Sequence, residues 1–139
     1  MTINEPKVIV ERFLGLLANG TKDEIVNCFS DNGAIDMAGT PDFPWTGRWQ
    51  GKEKLYEYFT VMPAALEMLD HQITKWIVDR NCITVTGTEH GRSRISGKEY
   101  RAKWAWVFYI HDGLIEFWDA YEDTQAFEHC GHGNKKCFF

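Results

Sequence analysis

Residues Tyr100–Asp123 read YRAKWAWVFYIHDGLIEFWDAYED, two runs rich in aromatic residues on either side of Asp112-Gly113. Aromatic and β-branched side chains fit a pleated, half-buried surface, and an Asp-Gly pair tolerates the positive φ that a two-residue hairpin turn demands. The segment therefore predicts a β-hairpin near the C-terminus, with enough aromatic surface to build the wall of an apolar cavity. Trp104, Trp106 and Phe108 alternate onto one face of its first strand. On the return strand Trp118, Ala120 and Glu122 share one face, and Ile115, Phe117, Asp119 and Tyr121 share the other. Alternation alone does not say which of these two sets points inward.

Upstream, Val8, Ile9, Phe13, Leu16 and Leu17 recur at helical spacing until Gly20, which predicts a helix over about Glu5–Asn19. Thr21 followed by Glu24 reads as a capping box opening a second, short helix with Ile25, Val26 and Phe29 inward. Asp31-Asn32-Gly33 is expected to turn the chain into a short strand over Ala34–Ala38. Gly39–Gly51 reads as a loop whose Phe43, Trp45 and Trp49 suit a lid or pocket mouth. Leu55, Tyr56 and Phe59 predict a third helix over Lys52–Thr60, ended or kinked at Pro63. Strands are expected at His71–Val78, Asn81–Ser93, Lys98–Ile110 and Leu114–Asp123, and a last helix from near Thr124. Helix, helix, strand, helix and then a run of antiparallel strands make an α+β domain, with helices covering one face of a curved sheet.

The chain has 139 residues, 44% of them hydrophobic, which suits one domain with a sizeable core. Residues 1–4 and 129–139 are expected to be flexible tails. A net charge of -5 and a pI near 5.5 argue against nucleic acid and against an anionic membrane surface, both of which need basic patches. A small molecule or a second copy of the chain is the expected partner. The N-terminal MTINEPKVIVERF, with Glu5 and Glu11, does not resemble a secretory leader, and no run of about 18 apolar residues stands ready to cross a membrane. Cys28, Cys82, Cys130 and Cys137 are scattered, as expected of reduced thiols in a cytoplasmic protein. The tail HCGHGNKKC gathers His129, Cys130, His132 and Cys137. Such spacing at a Gly-rich terminus is weak evidence of a metal site, and neither a metal nor another cofactor is expected.

The order of elements, Gly51-Lys52-Glu53 at the third helix and HDGLIEFWDAYED at 111–123 together resemble the SnoaL-like branch of the nuclear transport factor 2-like superfamily. The resemblance extends to about Phe127. It implies a cone-shaped α+β barrel, a strongly curved and mostly antiparallel sheet wrapped around about three N-terminal helices, with a deep cavity at the open end. Many members pair through the sheet, so a homodimer is expected. Ketosteroid isomerases, limonene-epoxide hydrolases, scytalone dehydratases, polyketide cyclases, phenazine-pathway proteins and non-catalytic binding modules share this scaffold, so the fold does not choose a function. A gap-free match of DGLIEFWDAYED to the epoxide hydrolases turns Trp118 and Ala120 inward. Ala120 stands where those enzymes keep a catalytic Asp, and their Arg-x-Asp reads Gly87-Thr88-Glu89, so Glu89 is what remains of three catalytic groups. Against the ketosteroid isomerases, Met37 occupies the position of the base, with Asp36 one residue away, and Trp106 that of the acid. His71 stands where the scytalone dehydratases place a catalytic His.

In Cys82–Gly91, Ile83, Val85, Gly87 and Glu89 share one face, while Thr84, Thr86, Thr88 and His90 take the other. With Ile83 and Val85 in the core, Glu89 points into the cavity, and a β-bulge would exchange it for His90. A carboxyl among Trp104, Trp106 and Trp118 is costly to ionise, so its pKa should rise toward the range a general acid/base needs. The catalytic candidates are therefore Glu89, His90 and Asp36. The expected ligand wall comprises Met37, Trp45, Tyr56, Phe59, Trp104, Trp106, Trp118, Ala120 and Glu122. Plainer roles compete for each polar member: a water or Arg92 for Glu89, solvent for Asp36, ordinary hydrogen bonds for His71 and His90. Glu122 competes with a role beside Asp123 in capping the last helix. Six tryptophans exceed what a core of this size requires, and buried indole N–H groups need partners. The function these residues point to is binding of a small hydrophobic or aromatic metabolite by a cofactor-free isomerase, cyclase or lyase. The alternative is a non-catalytic ligand-binding or assembly module of the same fold.

Overall fold

The computed structural model describes residues 5–130, except for the side chain of His129. The expected tails therefore lie almost wholly outside the described residues, as do His132 and Cys137. Helix α1, Pro6–Asn19, starts with a proline whose fixed φ suits the first turn, and it buries Ile9, Val10 and Phe13. In α2, Lys22–Val26, the capping box forms as expected: Glu24 N–H donates to Thr21 Oγ1 at 3.1 Å, and Thr21 N–H donates to Glu24 Oε1 at 2.8 Å. Strand β1 runs Phe29–Met37, so Asp31-Asn32-Gly33 does not turn the chain. Those residues sit instead where the pairing with the last strand shifts register. The Gly33 carbonyl accepts from Gly51 N–H at 2.9 Å, and a side chain at Gly33 would crowd the Ile115 carbonyl.

Part of the expected 39–51 loop is a short strand, β2 (Gly47–Gln50), which pairs antiparallel with β1. Helix α3, Lys52–Ala65, carries Pro63 inside its last turn and ends two residues later. Four long strands follow: β3 (Leu66–Asp79), β4 (Cys82–Ser93), β5 (Glu99–His111) and β6 (Leu114–Glu122), and then α4 (Thr124–Cys130). The β5–β6 hairpin turns at Asp112 and Gly113, with φ of 52° and 77°, the left-handed pair that matches the twist of the strands.

Sheet order is β2-β1-β6-β5-β4-β3, antiparallel throughout except for β1 beside β6. The sheet is curved and does not close, so β2 and β3 are its edges and the expected barrel is an open one. Register shifts in β3 at Met68/Asp70 and Ile73/Lys75 mark bulges, which bend a strand and increase its twist. The helices lie against the inner face. Phe13 of α1 meets Phe29, Phe108 and Trp118 edge-on at 5.5, 5.7 and 5.4 Å. Full burial of such a ring contributes about 1.5–3 kcal/mol, and this cluster pins the helical layer to β1, β5 and β6. No helix among the described residues is long and apolar enough to cross a membrane.

Candidate active site

Register brings the inner-face residues of four strands together. Along β4, Ile83, Val85, Gly87, Glu89 and Gly91 face inward, as alternation from the buried Ile83 and Val85 requires. Gly87 lies opposite Trp104, Glu89 opposite Ala102, and Gly91 opposite Tyr100. Across β5, Trp104 is paired with Glu122 and Trp106 with Ala120. On the other side of β4, His71 is paired with Glu89.

Glycine at positions 87 and 91 is what makes this arrangement possible. A Cβ at Gly87 would collide with the Trp104 indole and the Gln72 carbonyl, and one at Gly91 with the Tyr100 phenol ring. Both rings therefore lie against the β4 backbone on either side of Glu89. The Tyr100 hydroxyl donates to Glu89 Oε2 at 3.1 Å. Beyond Trp104, the His71 ring stacks at 4.8 Å and 11°, and Trp106 stacks at 4.0 Å and 25°.

Glu89 is 7% exposed. Burial pushes its carboxyl up to about 7, against the opposing effect of the Tyr100 hydroxyl, which favours the charged form. Glu122 is half-buried as a residue, but its Oε2 accepts from Trp106 Nε1–H at 2.7 Å within the aromatic cluster. Its carboxyl is pushed well above the usual range, first by burial and then by the charge of Glu89. Tyr58 of α3 is fully buried and held protonated by burial and by both carboxylates. Burial pushes His71 down and so favours its neutral imidazole, against the opposing charge of Asp70. The inner face thus holds two carboxyls that resist ionisation, a neutral imidazole and two phenols within an aromatic wall.

Sequence expectation and structure diverge at particular residues. His90 is turned to the outer face, because no bulge interrupts the β4–β5 register, and its Nε2 lies 2.6 Å from Glu99 Oε1. Arg92, weighed as a partner of Glu89, is also outside, bonded to Glu67 at 3.1 Å. Asp36 is likewise outward: Ile35 and Met37 of β1 are buried, and Asp36 falls between Arg48 and Asp119 in the pairing. Tyr56 lies on the outer side of α3, where its hydroxyl donates to Asp23, while Phe59 is buried. Met37, Trp104, Trp106, Trp118 and Ala120 are all buried on the inner face. Trp45 is buried against Phe43, stacked at 5.2 Å, and both pack on Phe127 of α4, which in turn lies 4.7 Å from the Tyr100 ring. In the C-terminal His/Cys group, the described side chain is that of Cys130, whose thiol donates to the Lys98 carbonyl at 3.7 Å. Neither Tyr100 nor Tyr58 is among the residues that the sequence singles out. Tyr100 was legible in the alternation it shares with Trp104 and Trp106, and in the pair of glycines flanking Glu89.

Residues 10–118 match the model of the SnoaL-like domain. The chain belongs to the SnoaL-like family. No curated protein matches its sequence. Among solved structures, a nuclear transport factor 2-like protein from Burkholderia xenovorans superposes with a TM-score of 0.82 at 17% identity, covering 94% of this chain and 98% of that one. A candidate isomerase from Rhodopseudomonas palustris gives 0.79 at 16% identity over 91% and 97%. A candidate polyketide cyclase from Pseudomonas putida gives 0.71 at 16% identity over 88% and 95%. At such identities the likeness is one of fold, and the chemistry has to be argued from the inner face of this SnoaL-like protein.

Proposed function

We propose that this SnoaL-like protein is a cofactor-free acid/base catalyst, an isomerase, cyclase or lyase, acting on a small hydrophobic or aromatic metabolite held in a cavity against the aromatic inner face. One observation carries the reading: Glu89, buried between Trp104 and Tyr100, with its carboxyl pushed up to about 7. A group poised there is present in both forms near neutral pH, as a general acid/base requires. In its ionised form Glu89 takes a proton from a carbon next to a carbonyl, and the electron pair moves onto the oxygen as an enolate. Return of that proton to a different carbon completes an isomerisation with no other reactant. Glu122, held toward its protonated form, is the second proton store on the same face.

The outward placement of Asp36 and His90 favours a second reading, a binding module in which Glu89 only orients the ligand. Deuterium incorporation from heavy water into a panel of cyclic diketones and enones separates the two. Catalysis predicts exchange that rises with pH through about 7 in the wild type and is lost in Glu89→Gln. Saturable binding of the same compounds without exchange in either protein would leave the binding module.

A further inference from the structure

Three tryptophans on β5 and β6 line the inner face, and their indole N–H groups are in unequal positions. That of Trp106 donates to Glu122 at 2.7 Å. Those of Trp104 and Trp118 are buried with no acceptor among the described residues, and the two tryptophans are themselves only 3% and 2% exposed. A buried donor without an acceptor has lost its hydration and gained nothing for it, and native structures rarely keep two in one aromatic cluster. Both rings belong to one cluster: the Trp106 ring lies 4.0 Å from that of Trp104 and 4.9 Å from that of Trp118. The carboxyls nearby already take other donors, Glu89 from Tyr100 and Glu122 from Trp106.

We infer that Trp104 and Trp118 are the polar anchor of the ligand site, each donating its indole N–H to an uncharged acceptor oxygen, so that the ligand is a neutral carbonyl compound with an otherwise apolar skeleton. The inference rests on the proposed function for placing the ligand on the inner face. Aromatic walls hold the skeleton by stacking. The same burial that keeps Glu89 and Glu122 from ionising penalises a charged ligand group, which disfavours acids and favours ketones, enones and quinone-like compounds.

Calorimetric titration of the full chain with indanone, its oxygen-free counterpart indane, and tetramethylammonium tests the anchor. Indanone is expected to bind at least about tenfold tighter than indane, the worth of a hydrogen bond to an otherwise orphaned donor. Because indanone carries a single oxygen, at least one of Trp104→Phe and Trp118→Phe is expected to shrink that preference, and a preference kept in both would overturn the inference. As a check independent of any variant's folding, the infrared carbonyl band of wild-type-bound indanone should move to lower frequency than in a dry apolar solvent. Equal binding of indanone and indane, no saturable binding of either, tighter binding of tetramethylammonium, or an unshifted band would each overturn the inference. Retained carbonyl preference without deuterium exchange at the carbon beside the carbonyl supports the anchor and removes the acid/base reading instead.

Discussion

Glu89 and His90 are adjacent in sequence and occupy different media. One residue along β4 separates a carboxyl sealed among aromatic rings from an imidazole in a surface ion network with Glu99 and Arg92. On the inner face, burial outweighs the single hydroxyl donor and pushes Glu89 up to about 7. On the outer face, Glu99 is held below its usual range, first by His90 and then by Arg92. The same sheet therefore presents a buried side and a solvated side, and a period of two residues decides which groups fall on each.

The inner arrangement breaks most severely at its glycines. Gly87→Ala places a Cβ against the Trp104 indole and the Gln72 carbonyl, neither of which has room to yield. A loss of about 3 kcal/mol or more is expected in urea unfolding, whereas Thr88→Ala, one residue on and exposed, should stay within about 0.5 kcal/mol.

Glu89→Gln should act in the opposite direction at alkaline pH. Its carboxyl titrates at about 7 when folded, against an ordinary value of 4.5, so the folded state binds more protons than the unfolded state between these values. Wild-type stability therefore falls as pH rises through that window. The variant should be more stable than wild type at pH 8 by up to about 3.5 kcal/mol, the difference of 2.5 units at about 1.4 kcal/mol each, and the gap should vanish near pH 4. Thermal unfolding across pH measures it. A wild type whose stability rises over the same window would contradict a buried Glu89.

Much of this contrast was legible in the sequence. Asp112-Gly113 gave the hairpin through its tolerance of left-handed backbone, and the buried pair Ile83 and Val85 put Glu89 inward by alternation. Resemblance to the epoxide hydrolases resolved the return strand, where alternation allowed two answers, and Trp118 and Ala120 are indeed buried. Asp31-Asn32-Gly33 misled, because turn-forming residues also suit an irregularity inside a strand when neighbouring backbone satisfies their polar groups. Asp36 misled because a short polar residue on a strand next to a catalytic position in relatives says nothing of which way it points. The partnership of Tyr100 with Glu89 is a cross-strand fact: it depends on the β4–β5 register and on Gly91, neither of which single-strand periodicity supplies.

Two smaller effects sharpen the comparison further. Tyr100→Phe removes the hydroxyl that favours the ionised form of Glu89, so the deuterium-exchange profile should shift to higher pH while the fold is kept. His90→Ala should leave both unfolding and exchange as in the wild type, because a surface ion pair contributes little and is screened by salt. Equal effects from these two variants would erase the distinction between the faces.

The most direct test is a carbon NMR titration of the Glu89 side-chain carboxyl in glutamate-labelled protein, with the signal assigned by its loss in Glu89→Gln. A midpoint of about 7 is the predicted result, and a midpoint at the ordinary carboxylate value near 4.5 would contradict a buried acid/base group on the inner face.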